Sequence, residues 1–326
     1  MGDEGGPRTA AGPGSGEHRG VSGRQTGERG ERLNEALRGI LPALVTPFDD
    51  EGRFAEGPFE KLLERVYAAG VDGVYVCGST GEGLLQSVEQ RKRVAERAVR
   101  WSPKGKAVIV HTGAPRTSAA VELTRHASEI GAAGASSLPP AGAYSYEEVR
   151  GYYRAVAAVS GAPFLVYYFP AVSPAISGVD QIRELCSLPN VIGLKYTDHD
   201  FYKMSLLAKT GARVFNGYDE VLVAGLLMGA SGGIGSFYNL VPEMFVEVYA
   251  HAAAGRWPEA RATQGRINEL IELTLRYPCF PAVKAILGWS GIDCGHCLGP
   301  RRSLTEEERS SLREALRASR FSGLAG

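Results

Sequence analysis

The chain has 326 residues, of which 44% are hydrophobic and 22% charged, with 36 basic and 36 acidic side chains. That length suits one large domain or two modest ones, and the composition is that of a globular enzyme. A net charge of zero gives no electrostatic reason to expect nucleic acid or an anionic membrane as partner. No apolar run approaches the roughly 18 residues needed to cross a bilayer. With no apolar signal-peptide core at the start either, the expectation is a cytoplasmic protein.

Gly makes up about a third of residues 1–30, with few large apolar side chains. Such a stretch cannot bury enough surface to offset its ordering entropy, so residues 1–38 are expected to form a disordered tail or leader. From Gly39 onward, short Val-, Ile- and Tyr-rich runs alternate with longer amphipathic stretches. Strands are expected at 40–45, 73–77, 107–111, 135–138, 164–168, 191–195, 213–216 and 232–236. Helices are expected at 58–69, 89–100, 118–130, 146–160 and 220–228. Strands separated by helices pair in parallel. About eight such units in about 200 residues point to an α/β (β/α)8 TIM barrel over residues 39–240. The alternative, an open doubly wound sheet, usually carries a glycine-rich fingerprint after its first strand. Pro42-Ala43-Leu44-Val45-Thr46-Pro47-Phe48 is not one. Further helical patterns at 242–253, 257–275, 281–287 and 305–317 exceed what the barrel needs. They are expected to form a C-terminal helical extension, residues 241–326, packed on the barrel or on a neighbour.

In such a barrel the chemistry sits where strands end. After the second strand, Gly78-Ser79-Thr80-Gly81-Glu82-Gly83 can expose backbone N–H groups and two hydroxyls to a carboxylate or phosphate, or form a plain tight turn. The fifth strand runs into Tyr167-Tyr168-Phe169-Pro170. Adjacent tyrosines face opposite sides, so one can present its hydroxyl to the interior, unless both only pack. The sixth, Val191-Ile192-Gly193-Leu194-Lys195, is an apolar strand ending in a lysine. Burying an ammonium is costly, and a desolvated lysine is a nucleophile toward carbonyls; the bland alternative is a lysine snorkelling to the rim. Thr197 and Asp198 follow it. After the seventh strand, Asp219 and Glu220 either cap the next helix or accept hydrogen bonds from a polyol. Gly232-Gly233-Ile234-Gly235-Ser236 carries the eighth strand.

The five cysteines do not form a disulfide framework. Cys294-Gly-His-Cys297 could be a redox pair or half a metal site. However, it reads as a loop late in the chain, with no second ligand pair after it.

Gly78-Ser79-Thr80-Gly81-Glu82, Tyr167-x-x-Pro170 and Gly193-Leu194-Lys195, in this order and spacing, resemble the pyruvate-dependent class I aldolases. That family includes dihydrodipicolinate synthase and N-acetylneuraminate lyase, and the resemblance covers roughly residues 39–318. It implies that Lys195 forms a Schiff base with a small-molecule 2-keto acid, that Ser79 and Thr80 bind its carboxylate, and that Tyr167 shuttles the proton. It implies no cofactor or metal, and a homotetramer. The synthase branch carries an arginine shortly after the Tyr-x-x-Pro motif, where this chain has Ala171-Val172-Ser173. The segments Lys195-Tyr196-Thr197, Asn216-Gly217-Tyr218-Asp219-Glu220 and Gly232–Ser236 resemble the sialic-acid lyase branch. There, positions matching Thr197, Gly217, Asp219, Glu220 and Ser236 contact the hydroxylated tail of the sugar. The implied reaction is cleavage of N-acetylneuraminate to pyruvate and N-acetylmannosamine. Its alternatives are a related aldolase or dehydratase acting on a keto-deoxy sugar acid, a dihydrodipicolinate synthase-like enzyme, and a barrel that binds a keto acid as a sensor. One position departs from the family. A neighbouring subunit usually supplies a tyrosine to the proton relay from the loop after the fourth strand. Here that position falls at Ala141, and Tyr144 is the nearest tyrosine.

Overall fold

The computed structural model describes residues 37–326; residues 1–36, which hold most of the expected tail, lie outside the described residues. Strands β1 (Gly39–Pro42), β2 (Gly73–Val76), β3 (Ala107–His111), β4 (Gly134–Ser137), β5 (Phe164–Tyr168), β6 (Val191–Tyr196), β7 (Arg213–Asn216) and β8 (Gly232–Gly235) form one sheet in cyclic order. All seven ladders are parallel. β1 and β2 close the ring, with Leu44 N–H donating to Tyr75 O at 2.9 Å and Asp72 N–H to Ile40 O at 3.0 Å. This is a (β/α)8 TIM barrel.

The helices between strands are α1 (Glu56–Ala68), α2 (Val88–Trp101), α3 (Thr117–Glu129), α4 (Tyr146–Ala158), α5 (Val179–Cys186), α6 (Phe201–Ala208) and α7 (Leu222–Leu227). Local chemistry starts several of them. Ser145 and Glu148 form a reciprocal capping box at α4, and Ser87 and Asp200 cap α2 and α6, satisfying backbone donors that a helix start leaves unpaired. The two-turn helices α5 and α6 are too short to stand out from periodicity alone. In the region expected as one helix over 220–228, a 3-10 turn (Asp219–Val221) precedes α7. The Asp219 carboxylate does not cap that turn; it reaches across to the N–H of Phe237.

Period-two alternation sorts the strand residues. Leu41, Tyr75, Ile109, Leu165, Phe215 and Ile234 fill the barrel interior. Their neighbours Val74, Val76, Val108 and Val110 pack outward with α1 and α2, and Val166, Tyr168, Leu194, Tyr196 and Val214 do so beside α4 and α5. After β8 come α8 (Pro242–Ala253), α9 (Trp257–Thr274), α10 (Cys279–Trp289) and α11 (Glu306–Arg317). Phe245, Ile267, Leu270, Ile286, Leu312 and Leu316 from these helices share one apolar cluster with Ile40, Leu63 and Val66 of the barrel, so the C-terminal helices pack on the barrel of their own chain. Among the described residues, no helix is long and apolar enough to cross a membrane.

Phe245 is fully buried, its ring 3.8 Å from that of Tyr238. Phe245→Ala removes a large buried ring at the seam between α8 and the barrel. We expect it to lower the unfolding free energy by about 3–5 kcal/mol, measured as a shift in the urea midpoint at constant slope; a shift near zero contradicts the packing described.

Candidate active site

The C-terminal ends of the strands surround a cavity of about 240 Å³. Ser79, Thr80, Tyr167, Lys195, Thr197, Gly217, Asp219, Glu220 and Ser236 all line it, so these candidates from the sequence meet one another there, whereas Asp198, Ala141 and Tyr144 do not join them. Phe169, Tyr218, Phe237, Leu275, Cys279 and Phe280 complete the wall. Of these, the last three come from the C-terminal helices and their connections, which no strand-end argument could have supplied.

Tyr167 and Lys195 are register partners on β5 and β6 and therefore point the same way. Lys195 is 5% exposed. Its Nζ lies 4.3 Å from the centre of the Tyr167 ring and 4.9 Å from that of Tyr75. Aromatic faces attract a cation without neutralising it, and among the described residues no carboxylate forms an ion pair with this amine. Tyr168 and Tyr196, the outward neighbours, stack together instead. Asp198 serves that outer side: its Oδ2 accepts from the Tyr168 hydroxyl at 3.2 Å and pairs with Lys203 at 3.1 Å. The ambiguity of the adjacent tyrosines is thus resolved, with Tyr167 inside and Tyr168 outside.

Edge-on to the Tyr167 ring, with 6.2 Å between ring centres, His111 is enclosed. The backbone N–H of Leu138 donates to its Nε2 at 3.0 Å, and its Nδ1 lies 3.1 Å from the carbonyl of Cys77. An Nε2 that accepts and an Nδ1 that donates define one neutral tautomer. Burial, then the nearby charges of Arg91 and Lys195, hold the imidazole well below its ordinary pKa. Arg91 is buried too, donating to the carbonyls of Gly113 at 2.8 Å and His111 at 2.7 Å. Sequence reasoning did not single out His111 or Arg91. The only signal was a histidine ending an apolar strand.

The glycine loop is shaped by positive φ at Cys77 (60°) and Glu82 (55°). A Cβ on Gly83 would lie 1.8 Å from the Cys77 carbonyl oxygen, so only glycine fits. Thr80 Oγ1 and Ser236 Oγ are 2.6 Å apart, which ties the loop after β2 to the end of β8 across the mouth.

Next to this contact, the wall carries polar groups from the loops after β6 and β7. Asp219 Oδ2 accepts from Phe237 N–H at 2.7 Å. Its Oδ1 and the Thr197 Oγ1 are buried without a partner among the described residues. Buried polar atoms left unpaired are costly, and both belong to residues on the cavity wall. Glycines make the room: a Cβ on Gly235 would sit 1.6 Å from Asp219 Oδ1, and one on Gly217 2.0 Å from Thr197 Oγ1. Gln264 and Asn268 of α9 donate to the carbonyls of Asp219 and Glu220 at 3.0 and 2.9 Å. His199 stacks on Tyr218 with 4.3 Å between ring centres and lies 3.9 Å from Glu220 Oε1.

Ala141 and Tyr144 are exposed and neither lines the cavity. Cys294 is buried and Cys297 half-buried, both as free thiols, and burial pushes each up to about 12. Among the described residues, no group of three or more His, Cys, Asp or Glu side chains is arranged to hold a metal ion.

A closed (β/α)8 barrel with a lone lysine amine, a tyrosine and a hydroxyl-lined glycine loop at its mouth is the architecture of a lysine-dependent aldolase. The chain belongs to the dihydrodipicolinate synthetase family, whose model matches residues 36–319. It is 37% identical over 283 residues to the N-acetylneuraminate lyase of Rhizobium meliloti (strain 1021), covering 86% of this chain and 94% of that protein. To the N-acetylneuraminate lyase of Citrobacter koseri it is 35% identical, over 78% of this chain and 88% of that one. Among solved structures, it superposes with a TM-score of 0.83 on the wild-type sialic acid aldolase of Ruminococcus gnavus, at 28% identity, covering 89% of this chain and 97% of that one. A catalytic lysine mutant of that aldolase superposes equally well.

Burial raises the Asp219 carboxyl from 3.8 to about 7. Below the lower value both folded and unfolded chains hold the proton. Between the two, the unfolded chain gives it up first, so folding is progressively penalised, and the loss is complete above the upper value. Asp219→Asn has no such ionisation. Its stability relative to the parent is therefore expected to improve steadily from pH 4 to pH 7, read from urea midpoints across that range; parallel profiles refute the shift.

Proposed function

We propose that this chain is a class I aldolase that cleaves N-acetylneuraminate to pyruvate and N-acetylmannosamine. The observation that carries the proposal is the buried amine of Lys195 beside Tyr167, in one cavity with an Asp219 oxygen that has no partner among the described residues. The neutral amine attacks the C2 carbonyl of the open-chain sugar acid, water leaves, and a protonated imine forms. The glycine loop, with Ser79 and Thr80, holds the substrate carboxylate. Tyr167 relays the proton of the C4 hydroxyl as C3–C4 breaks, taking it up while its own passes to the bound carboxylate, and the relayed proton is later delivered to C3. The bond pair flows into the iminium, leaving an enamine on Lys195 rather than a bare carbanion. The aldehyde N-acetylmannosamine departs, C3 takes a proton, and water hydrolyses the imine to release pyruvate and the free amine. No external electron acceptor is needed for the balance.

Substrate choice rests on the other wall. A buried polar site rejects analogues that leave its acceptors unpaired, and Thr197, Gly217, Asp219, Glu220 and Ser236 suit a chain of hydroxyls. The names of the relatives in Rhizobium meliloti and Citrobacter koseri support the same substrate. Ala141 favours a second reading, cleavage or dehydration of a keto-deoxy sugar acid, because the alanine leaves the relay without the tyrosine that a neighbouring subunit of the family usually contributes at that position. The family resemblance further supports a homotetramer working in the cytoplasm.

Incubation with pyruvate and borohydride is expected to leave a reduced adduct on the Lys195 peptide, and none in Lys195→Ala. An unmodified peptide in the parent protein overturns the Schiff-base reading. Tyr167→Phe is expected to keep adduct formation while lowering turnover by about 10²–10⁴-fold. Release of pyruvate from a keto-deoxy sugar acid but not from N-acetylneuraminate would select the second reading.

A further inference from the structure

The loop that carries Ser79 and Thr80 also carries a carboxylate turned away from the cavity. The Glu82 side chain is 0% exposed and pairs with Lys284, itself 2% exposed, at 2.8 Å. The second carboxylate oxygen accepts from the backbone N–H of Leu298 at 2.7 Å, a residue 216 positions away in the chain. Lys284 Nζ also donates to the His296 carbonyl at 2.8 Å and sits 4.3 Å from the centre of the Phe48 ring. Complete desolvation of two charges is a poor way to stabilise a fold, since apolar replacements of a buried pair are often as stable or more so. Its location suggests another reason. Glu82 N–H donates to the Ser79 carbonyl at 3.2 Å. Lys284 belongs to α10, whose first residues, Cys279 and Phe280, form another part of the cavity wall. One ion pair therefore connects the glycine loop to the helix that faces it.

We propose that the Glu82–Lys284 pair is a positioning element for the loop that binds the substrate carboxylate, and that Lys284 also cancels a negative charge that would otherwise repel that carboxylate. The inference rests on the assignment of the carboxylate to Ser79 and Thr80 made above. Without Lys284, the buried Glu82 carboxylate loses the cation that offsets it and keeps only neutral polar neighbours such as the Cys297 thiol and the Leu298 N–H. Its charge then acts on the bound anion through a medium far less screening than water.

The test is the pyruvate concentration giving half-maximal borohydride trapping at one fixed, mildly alkaline pH, expressed relative to the parent protein. Lys284→Met is expected to raise it on the order of tenfold. The conservative Lys284→Arg and the neutral double variant E82Q/K284M are expected to recover most of that loss. Should Lys284→Met fail to fold, Glu82→Gln is the replacement. It leaves the lysine charge unbalanced and is expected to lower the half-saturating concentration. If the variants lose thermal stability but keep the parent's half-saturating concentration, the pair is structural only and the inference is overturned. Absence of trapping in the parent protein would instead overturn the Schiff-base reading, so the two failures are distinct.

Discussion

A lysine amine held inside a protein without a counter-ion constrains everything around it. Lys195 lies between the rings of Tyr75 and Tyr167, which attract the charged form only weakly compared with a carboxylate. The nearby imidazole of His111, edge-on to the Tyr167 ring, is held in a neutral tautomer by Leu138 and Cys77. The acidic groups of the cavity stand on the turn that follows β7, and the one of these that is deeply buried, Asp219, is pushed toward neutrality.

The barrel supplies the strand ends, but helices outside it decide how the loops sit. Gln264 and Asn268 of α9 hold the backbone at Asp219 and Glu220, and Lys284 of α10 holds the glycine loop. The start of α10 also closes the cavity wall. The C-terminal extension therefore packs against the barrel and also shapes the site from the far side.

Much of the fold was legible along the chain, because the alternation of strands and helices is a local signal. β3, β5 and β7 lie at the expected residues, β1 ends three residues earlier than expected, and the other strands differ by one residue at one or both ends. α5 and α6, two turns each, escaped notice, since so short a helix shows too few repeats of its apolar face. Asp219 admitted two roles because its sequence neighbours suit a helix start. The structure settles what it bonds to, since the Phe237 N–H after β8 offers a donor in an otherwise enclosed place.

The sequence by itself determined the barrel and marked the candidate reactive groups, because strand periodicity, glycine-rich turns and a lysine ending an apolar strand are properties of neighbouring residues. Only the tertiary structure decided which tyrosine faces inward, that His111 is buried between Tyr167 and Arg91, and that Glu82 finds its partner in Lys284. Those outcomes depend on contacts between segments up to about two hundred residues apart, fixed by ring closure and by the return of the C-terminal helices, and no local pattern encodes such a distance.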